Sequence, residues 1–345
     1  MTLATLRQLL DHAAENDYGI PAFNITNLET LLAVLKAAER TDSPVIVQAS
    51  QSARKYADDM LLSGMVKAAA QRFPRIPICF HQDHGSSPEV CASAIELGFT
   101  SVMMDGSLEA DGKTPASYQY NVDVTARTVA FAHARGVSVE GEIGVLGSLE
   151  TGGGEQEDGH GVVGTLEREA LLTDPQQAAD FVAATNVDAL AVAIGTSHGA
   201  YKFSRKPTGD ILAMDVIAAI HARLPYTHLV MHGASTVPEE LQDLINANGG
   251  HIPQTYGVPL EEVENSIRMG VRKINIDTDL RMALTGSARE YLQANPGSFD
   301  IRGMLKSGTS RMEALCTERF ERFGAAGHGS DIKVKSLDSM SKFYC

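Results

Sequence analysis

The chain has 345 residues, 43% of them hydrophobic, and 29 basic against 43 acidic side chains give a formal net charge of −14. That is enough apolar material for one large α/β domain, and the acidic balance argues against nucleic acid or an anionic membrane as partner, since either needs a basic surface. The first residues mix charge into an apolar periodicity, no 18-residue apolar run follows, and the four cysteines show no CxxC spacing, so a cytoplasmic protein with reduced thiols is expected.

Short β-rich runs recur at 20–24, 44–49, 77–81, 101–104, 137–142, 189–194, 228–232 and 271–276. Between them lie helical periodicities such as LETLLAVLKAAERT, PEVCASAIELG, PQQAADFVAATN and PLEEVENSIRMG. Eight such βα units predict a closed (β/α)8 TIM barrel. The longest irregular stretch, GVLGSLETGGGEQEDGHGVVG, follows the fifth strand and reads as a mobile lid. From Gly297 the pattern turns irregular, becomes helical through SRMEALCTERFERFG and ends in twenty polar residues. No linker interrupts the chain, so 1–345 reads as a single barrel domain with 297–345 as helical extension and tail.

Polar side chains gather at the downstream strand ends: Asn24, Ser50, Asp83, His84, Asp105, Glu142, His198, His232, Asn275 and Asp277. In a barrel of this kind chemistry is assembled on that rim. His84, His198 and His232 end the third, sixth and seventh strands, and three imidazoles with one open position make a catalytic metal arrangement. His12, His133, His221 and His251 read as ordinary hydrogen-bonded or surface histidines. Strand geometry puts Asp83 and His81 on the opposite side of the backbone from His84 unless the turn re-aims them. Asp83 then either moves protons or orients a histidine. Asp105 and Glu142 are alternative metal donors, anchors for the ligands, or solvated rim carboxylates. HGAS at 232–235 and NIDT at 275–278 follow the seventh and eighth strands, where barrels place phosphate. Gly233 and Gly199 permit close backbone approach, Ser235 and Thr278 can donate, and Asp277 suits a substrate hydroxyl.

With these motifs in hand, the sequence resembles the class II fructose-bisphosphate aldolases from PAFN at 21 to NIDTDLR at 275. The motifs are HQDHG at 81–85, TSHG at 196–199, HGAS at 232–235 and NIDTD at 275–279. GSLETG, IGTSHGAYKF and LVMHGAS resemble the subgroup of carbon-fixing (Calvin cycle) bacteria. The resemblance implies a divalent ion, commonly Zn2+, on His84, His198 and His232, with a second metal position at Asp105 and Glu142. A monovalent cation is a further implied ion, Lys202 being its neighbour or a rim residue. Asp83 matches the proton donor, and Glu150 the lid glutamate that exchanges the carbon proton, with Glu155 and Glu157 as competitors for that role. Ser50 matches a contact to the glyceraldehyde-phosphate part; Gly199, Gly233, Ala234, Ser235, Asn275, Ile276, Asp277 and Thr278 match contacts to dihydroxyacetone phosphate. Arg311 and Arg319 are candidates for the distal phosphate, reaching across a subunit interface.

The implied reaction is reversible cleavage of fructose 1,6-bisphosphate, in glycolysis, gluconeogenesis and the Calvin cycle, by a homo-oligomer, dimer or tetramer. Sedoheptulose 1,7-bisphosphate is a further candidate substrate, and tagatose-bisphosphate aldolase the alternative identity. A Schiff-base aldolase using Lys273 is the mechanistic rival. A metal-dependent hydrolase fits less well, because the first strand, GIPAFN, has no histidine. A noncatalytic metal-binding barrel is the remaining reading.

Overall fold

A two-residue strand, β1 (Leu3–Ala4), is the first described element, and the eight strands of a parallel barrel follow it. These are β2 (Ile20–Asn24), β3 (Val45–Ser50), β4 (Ile78–Gly85), β5 (Ser101–Met104), β6 (Ser138–Ile143), β7 (Ala189–Val192), β8 (His228–Met231) and β9 (Val271–Ile276). Sequential neighbours pair, and β2 beside β9 closes the ring through Ala22 opposite Asn275. This computed structural model describes residues 3–147, 149–150, 161–162, 166–167, 171–207 and 212–345. The predicted (β/α)8 barrel is therefore the fold. Among the described residues no helix is long and apolar enough to cross a membrane.

The strands are buried on both faces, as parallel strands under a helical layer must be. The helices bury one stripe. In α2 (Leu28–Thr41) the buried Leu31, Val34, Leu35 and Ala38 recur at three- and four-residue spacing. Asn27 and Thr30 cap its N-terminus reciprocally, and Asp42 stops it in a left-handed conformation. The barrel floor is closed by α1 (Leu6–Glu15), capped by Thr5, whose Leu6, Leu9, Leu10 and Ala13 are fully buried. The helix meets β2, β4, β6, β8 and β9 there. Beside it β1 pairs with the start of β4, where Thr100 Oγ1 donates to the Ala4 carbonyl at 2.6 Å.

Two features depart from the sequence expectation. The third barrel strand, expected to end at His81, runs on to Gly85 with a register shift between Gln82 and Gly85, and His84 takes φ 44°. A bulge of this kind re-aims side chains. The polar tail is also more than a tail. After α11 (Thr278–Ala294), α12 (Ile301–Arg322) packs on α2 and α11, and a last helix, α13 (Leu337–Tyr344), begins at the Ser336 cap. Its apolar residues, Leu337, Met340, Phe343 and Tyr344, keep helical spacing within a polar sequence, which is why composition hid it. The Tyr344 ring stacks on His133 with centroids 3.7 Å apart, and its hydroxyl donates to Asp188 Oδ1 at 2.9 Å.

Tyr344→Ala removes that stack and leaves Asp188 short of a donor. It should lower the unfolding free energy by about 2 kcal/mol, read as an earlier midpoint in urea; an unchanged midpoint would mean that α13 is only a loosely attached end.

Candidate active site and metal centre

Residues two apart on one strand face the same side, and three strands use this to stack two polar layers inside the barrel. β4 supplies His81 and Asp83, β6 supplies Glu140 and Glu142, and β9 supplies Lys273 and Asn275. In the lower layer Glu140 is shared. Its Oε1 lies 2.8 Å from His232 Nε2, and its Oε2 lies 2.9 Å from Lys273 Nζ and 3.4 Å from His81 Nε2. All of these side chains are buried. Burial, and then the Lys273 charge, holds the His81 imidazole well below its usual range, so it stays neutral. Sequence reasoning named Glu142 and missed Glu140. The available signal was the two-residue spacing of polar side chains, Glu140 with Glu142 in SVEGEI and Lys273 with Asn275 in VRKINI, which puts each pair on one face of its strand.

Above this layer the three rim histidines converge. His84 ends β4, His198 follows β7 and His232 follows β8; the His84 ring centroid lies 4.8 Å from that of His198 and 4.6 Å from that of His232. One ligand-type atom from each falls within 4.8 Å of the others. Gly233 permits this approach: at φ 64°, a Cβ there would sit 2.4 Å from the Ser197 carbonyl oxygen. Asp105 Oδ2 accepts from His84 Nδ1 at 3.0 Å, and Asp105 is itself held by the Ser107 amide and hydroxyl. That bond leaves the His84 lone pair on Nε2, while the Glu140 contact leaves the His232 lone pair on Nδ1, where the Asn275 amide donates at 3.0 Å.

The charge balance fits a cation. Burial acts downward on His84, but Asp83, Asp105 and Glu142 outweigh it and push its pKa up to about 10. His198 and His232 are pushed well below the usual range by burial and by the His84 charge, into the neutral form that ligates metal. Glu142 is raised well above the carboxylate range by burial and by Asp105. A divalent ion held among these groups would supply the positive charge that the carboxylates otherwise draw from a proton. His84, Asp105 and Glu142 form a second donor cluster of the same span.

Asp83 faces the same centre. Asn24 Nδ2 donates to its Oδ2 at 2.9 Å and Asn275 Nδ2 to its Oδ1 at 3.3 Å, while Gln48 holds Asn24 at 2.7 Å. Burial works to raise this carboxyl, but the His84 and His232 imidazoles prevail and hold it below the usual range. The cavity beside it is lined further by Lys202, Gly233, Ser235, Asp277 and Thr278. The N-terminus of α11 opens there with no side-chain cap, a ready anion site. Lys202 is buried and its ammonium donates to the Ser197 carbonyl.

Other predicted residues flank the cavity or lie beyond it. Ser50 Oγ caps α3 (Gln51–Ala57) by accepting from the Ala53 amide at 3.1 Å, in register with Asp83. Gly199 lines an adjoining pocket with Thr278. The Ala234 and Ile276 side chains belong to the core, leaving only their backbone for a ligand. Glu150 accepts from the Ser204 amide at 3.0 Å and hydroxyl at 2.7 Å; Glu155 and Glu157 lie outside the described residues. Arg311 is bonded to Ser287 and Glu290, and Arg319 is buried against Thr236 and Asp279, so both are engaged away from the cavity. Arg281, which the sequence reading did not weigh, stands beside the cavity through Asp277. It grips Asp277 at 2.8 and 2.6 Å and lines a pocket with Asn24, Ser52 and Tyr56.

Glu140→Gln should weaken metal binding by about 10–100-fold, because the carboxylate behind His232 is lost. Lys273→Met should cost about 3–5 kcal/mol of stability by stranding Glu140, and the double variant should recover much of it. Metal content and thermal unfolding report the two effects; additive losses in the double variant would contradict the coupling.

The comparisons with known proteins agree with this geometry. The family described as "Fructose-bisphosphate aldolase class-II" matches residues 4–328. The chain is 61% identical to fructose-bisphosphate aldolase 2 of Cereibacter sphaeroides and 62% identical to the fructose-bisphosphate aldolase of a Nostoc species. Each alignment covers 100% of this chain, with 97% and 96% of the respective relative. Among solved structures, the YdjI aldolase of Escherichia coli superposes with a TM-score of 0.70 at 26% identity, over 95% of this chain and 99% of that one. The chain belongs to the class II fructose-bisphosphate aldolase family.

Proposed function

We propose that this metal-dependent aldolase cleaves fructose 1,6-bisphosphate reversibly to dihydroxyacetone phosphate and glyceraldehyde 3-phosphate, with Zn2+ on His84, His198 and His232. The observation that carries the assignment is the placement of Asp83, held by two asparagine amides, between the histidine cluster and the anion cradle. His84, His198 and His232 would hold the divalent ion, which would supply Lewis-acid stabilisation of charge on the ketone oxygen. Asp105 and Glu142 orient His84 or hold the ion in a second position.

The chain's own residues do the rest. The backbone at Gly233, Ala234 and Ser235, the Ser235 and Thr278 hydroxyls, the N-terminus of α11 and the Lys202 charge bind the proximal phosphate. Gly199 and the backbone at Ile276 complete that wall, and Asn275 and Asp277 take substrate hydroxyls. In cleavage Asp83 removes the proton from the C4 hydroxyl, its low proton affinity being offset as the developing charge approaches. Glu150 returns a proton to the carbon freed by the break, after exchanging Ser204 for substrate. Ser50 and Arg281 receive the distal phosphate, Arg281 by releasing one side of its grip on Asp277.

A Schiff base at Lys273 is disfavoured, because its ammonium is paired with Glu140 beneath the cavity. The likeness to aldolases of carbon-fixing bacteria supports a role in the Calvin cycle beside glycolysis and gluconeogenesis, with sedoheptulose 1,7-bisphosphate as a second substrate. We place the enzyme in the cytoplasm as a homo-oligomer whose chains each form one barrel domain, α12 binding the C-terminal extension to α2 and α11. Tagatose 1,6-bisphosphate is the alternative substrate, since it presents the same phosphates and ketone to the same cradle.

A chelator should abolish triose-phosphate release, whereas borohydride with substrate should leave it intact; the opposite pair of results rejects the metal mechanism. Tagatose bisphosphate turned over faster than fructose bisphosphate in the same assay would shift the assignment to the alternative. Asp83→Ala should lower kcat by about 10²–10⁴-fold with metal content unchanged. Arg281→Ala should raise KM for the bisphosphate while sparing proton exchange on dihydroxyacetone phosphate; equal damage to both reactions would place Arg281 elsewhere in the mechanism.

A further inference from the structure

The barrel floor, at the end opposite the rim, carries a second set of metal-type donors. His12 lies in the last turn of α1, and His328 and Asp331 follow α12. One ligand-type atom from each lies within 4.8 Å of the other two. Tyr18, which leads into β2 at the strand's entry end, organises both imidazoles. Its hydroxyl is 2.8 Å from His12 Nδ1, and its ring stacks on that of His328 at 4.4 Å with 8° between planes. The His12 ring meets His328 edge-on at 5.7 Å. Tyr18 is only 2% exposed, so this frame is set by the core rather than by solvent.

His328 Nδ1 is buried and has no hydrogen-bond partner among the described residues. The Asp331 carboxylate is its neighbour at 3.6 Å, beyond hydrogen-bond reach. A buried ring nitrogen aimed at a carboxylate across that gap is the arrangement a cation between them completes. The backbone holds the pieces in place: the Gly327 amide donates to the Thr41 carbonyl at 2.8 Å, the Gly329 amide to Asp42 at 2.6 Å, and the Gly19 amide to Phe323 at 2.9 Å.

We propose that His12, His328 and Asp331 form a second divalent-cation site, separate from the catalytic one, that ties α1 to the segment after α12. Two imidazoles and one carboxylate suit a first-row transition ion of the zinc type, with water in the remaining position. Asp331 is largely exposed, so the ion enters directly from solvent. His12 is then more than the ordinary histidine its sequence setting suggests. The site joins elements close to the two ends of the chain, and its occupancy stabilises the folded state by mass action.

The test uses the full-length enzyme, stripped and then dialysed against Zn2+, with zinc per chain and thermal unfolding measured together. His328→Ala and His12→Ala should each hold one Zn2+ fewer per chain than the unsubstituted enzyme and lose part of the zinc-dependent rise in Tm, with fructose bisphosphate cleavage unchanged. Asp331→Asn alters only an exposed side chain, so it separates ligand loss from misfolding; it should weaken binding of that one equivalent and leave the catalytic equivalent intact. Equal zinc content and equal zinc-dependent Tm shifts in the unsubstituted chain, His328→Ala and Asp331→Asn would overturn the site and reduce the three residues to a packed cluster.

Discussion

One buried carboxylate, Glu140, underlies the organisation of the site. It is fully enclosed, and taking such a charge out of water is costly unless it is paired and hydrogen-bonded. Lys273 supplies the countercharge, His81 a neutral neighbour, and His232 a ring whose orientation is thereby set. The pairing joins three barrel strands beneath the rim, so metal geometry and barrel closure share one set of contacts. The upper layer inherits this order, because Asp83, Glu142 and Asn275 stand two residues beyond His81, Glu140 and Lys273 on the same strands. A change in register on any of these strands would move both layers together.

Much of this was legible in the sequence because a barrel places its chemistry where strands end. His84, His198 and His232 were readable from position and residue type, and Asp83 from its place beside His84. The lower layer was harder. Glu140 shares its strand with Glu142 and Lys273 follows Arg272, and only the folded register places Glu140 and Lys273 against one another. The left-handed backbone at His84 has no marker in HQDHG, yet together with the bulge it brings Asp83 and His84 to one cavity. The arginines were open for a related reason: Arg311 and Arg319 were candidates in the C-terminal extension, where their local acidic and hydroxyl partners hold them, whereas Arg281 stands two residues past NIDTD and its pairing with Asp277 appears only in the folded chain.

The two ends of the barrel divide the labour. The rim collects charge that is matched only in part by other protein groups, a condition that invites ions and substrates. The floor is closed by α1, β1 and α13, with Tyr344, His133, Asp188 and Ser138 bonded among themselves. The floor is thus tied by contacts separate from the reacting groups, leaving the loops above the rim free to vary.

Closure of the ring between β2 and β9 has a consequence for synthesis. Residues 20–24 leave the ribosome long before residues 271–276 exist, an interval on the order of ten to fifty seconds at ordinary elongation rates. Throughout that time β2 carries an unpaired edge and α2 lacks the cover of α12. The nascent chain therefore carries an open strand edge until β9 emerges, so the barrel can close only when about four-fifths of the chain has been made.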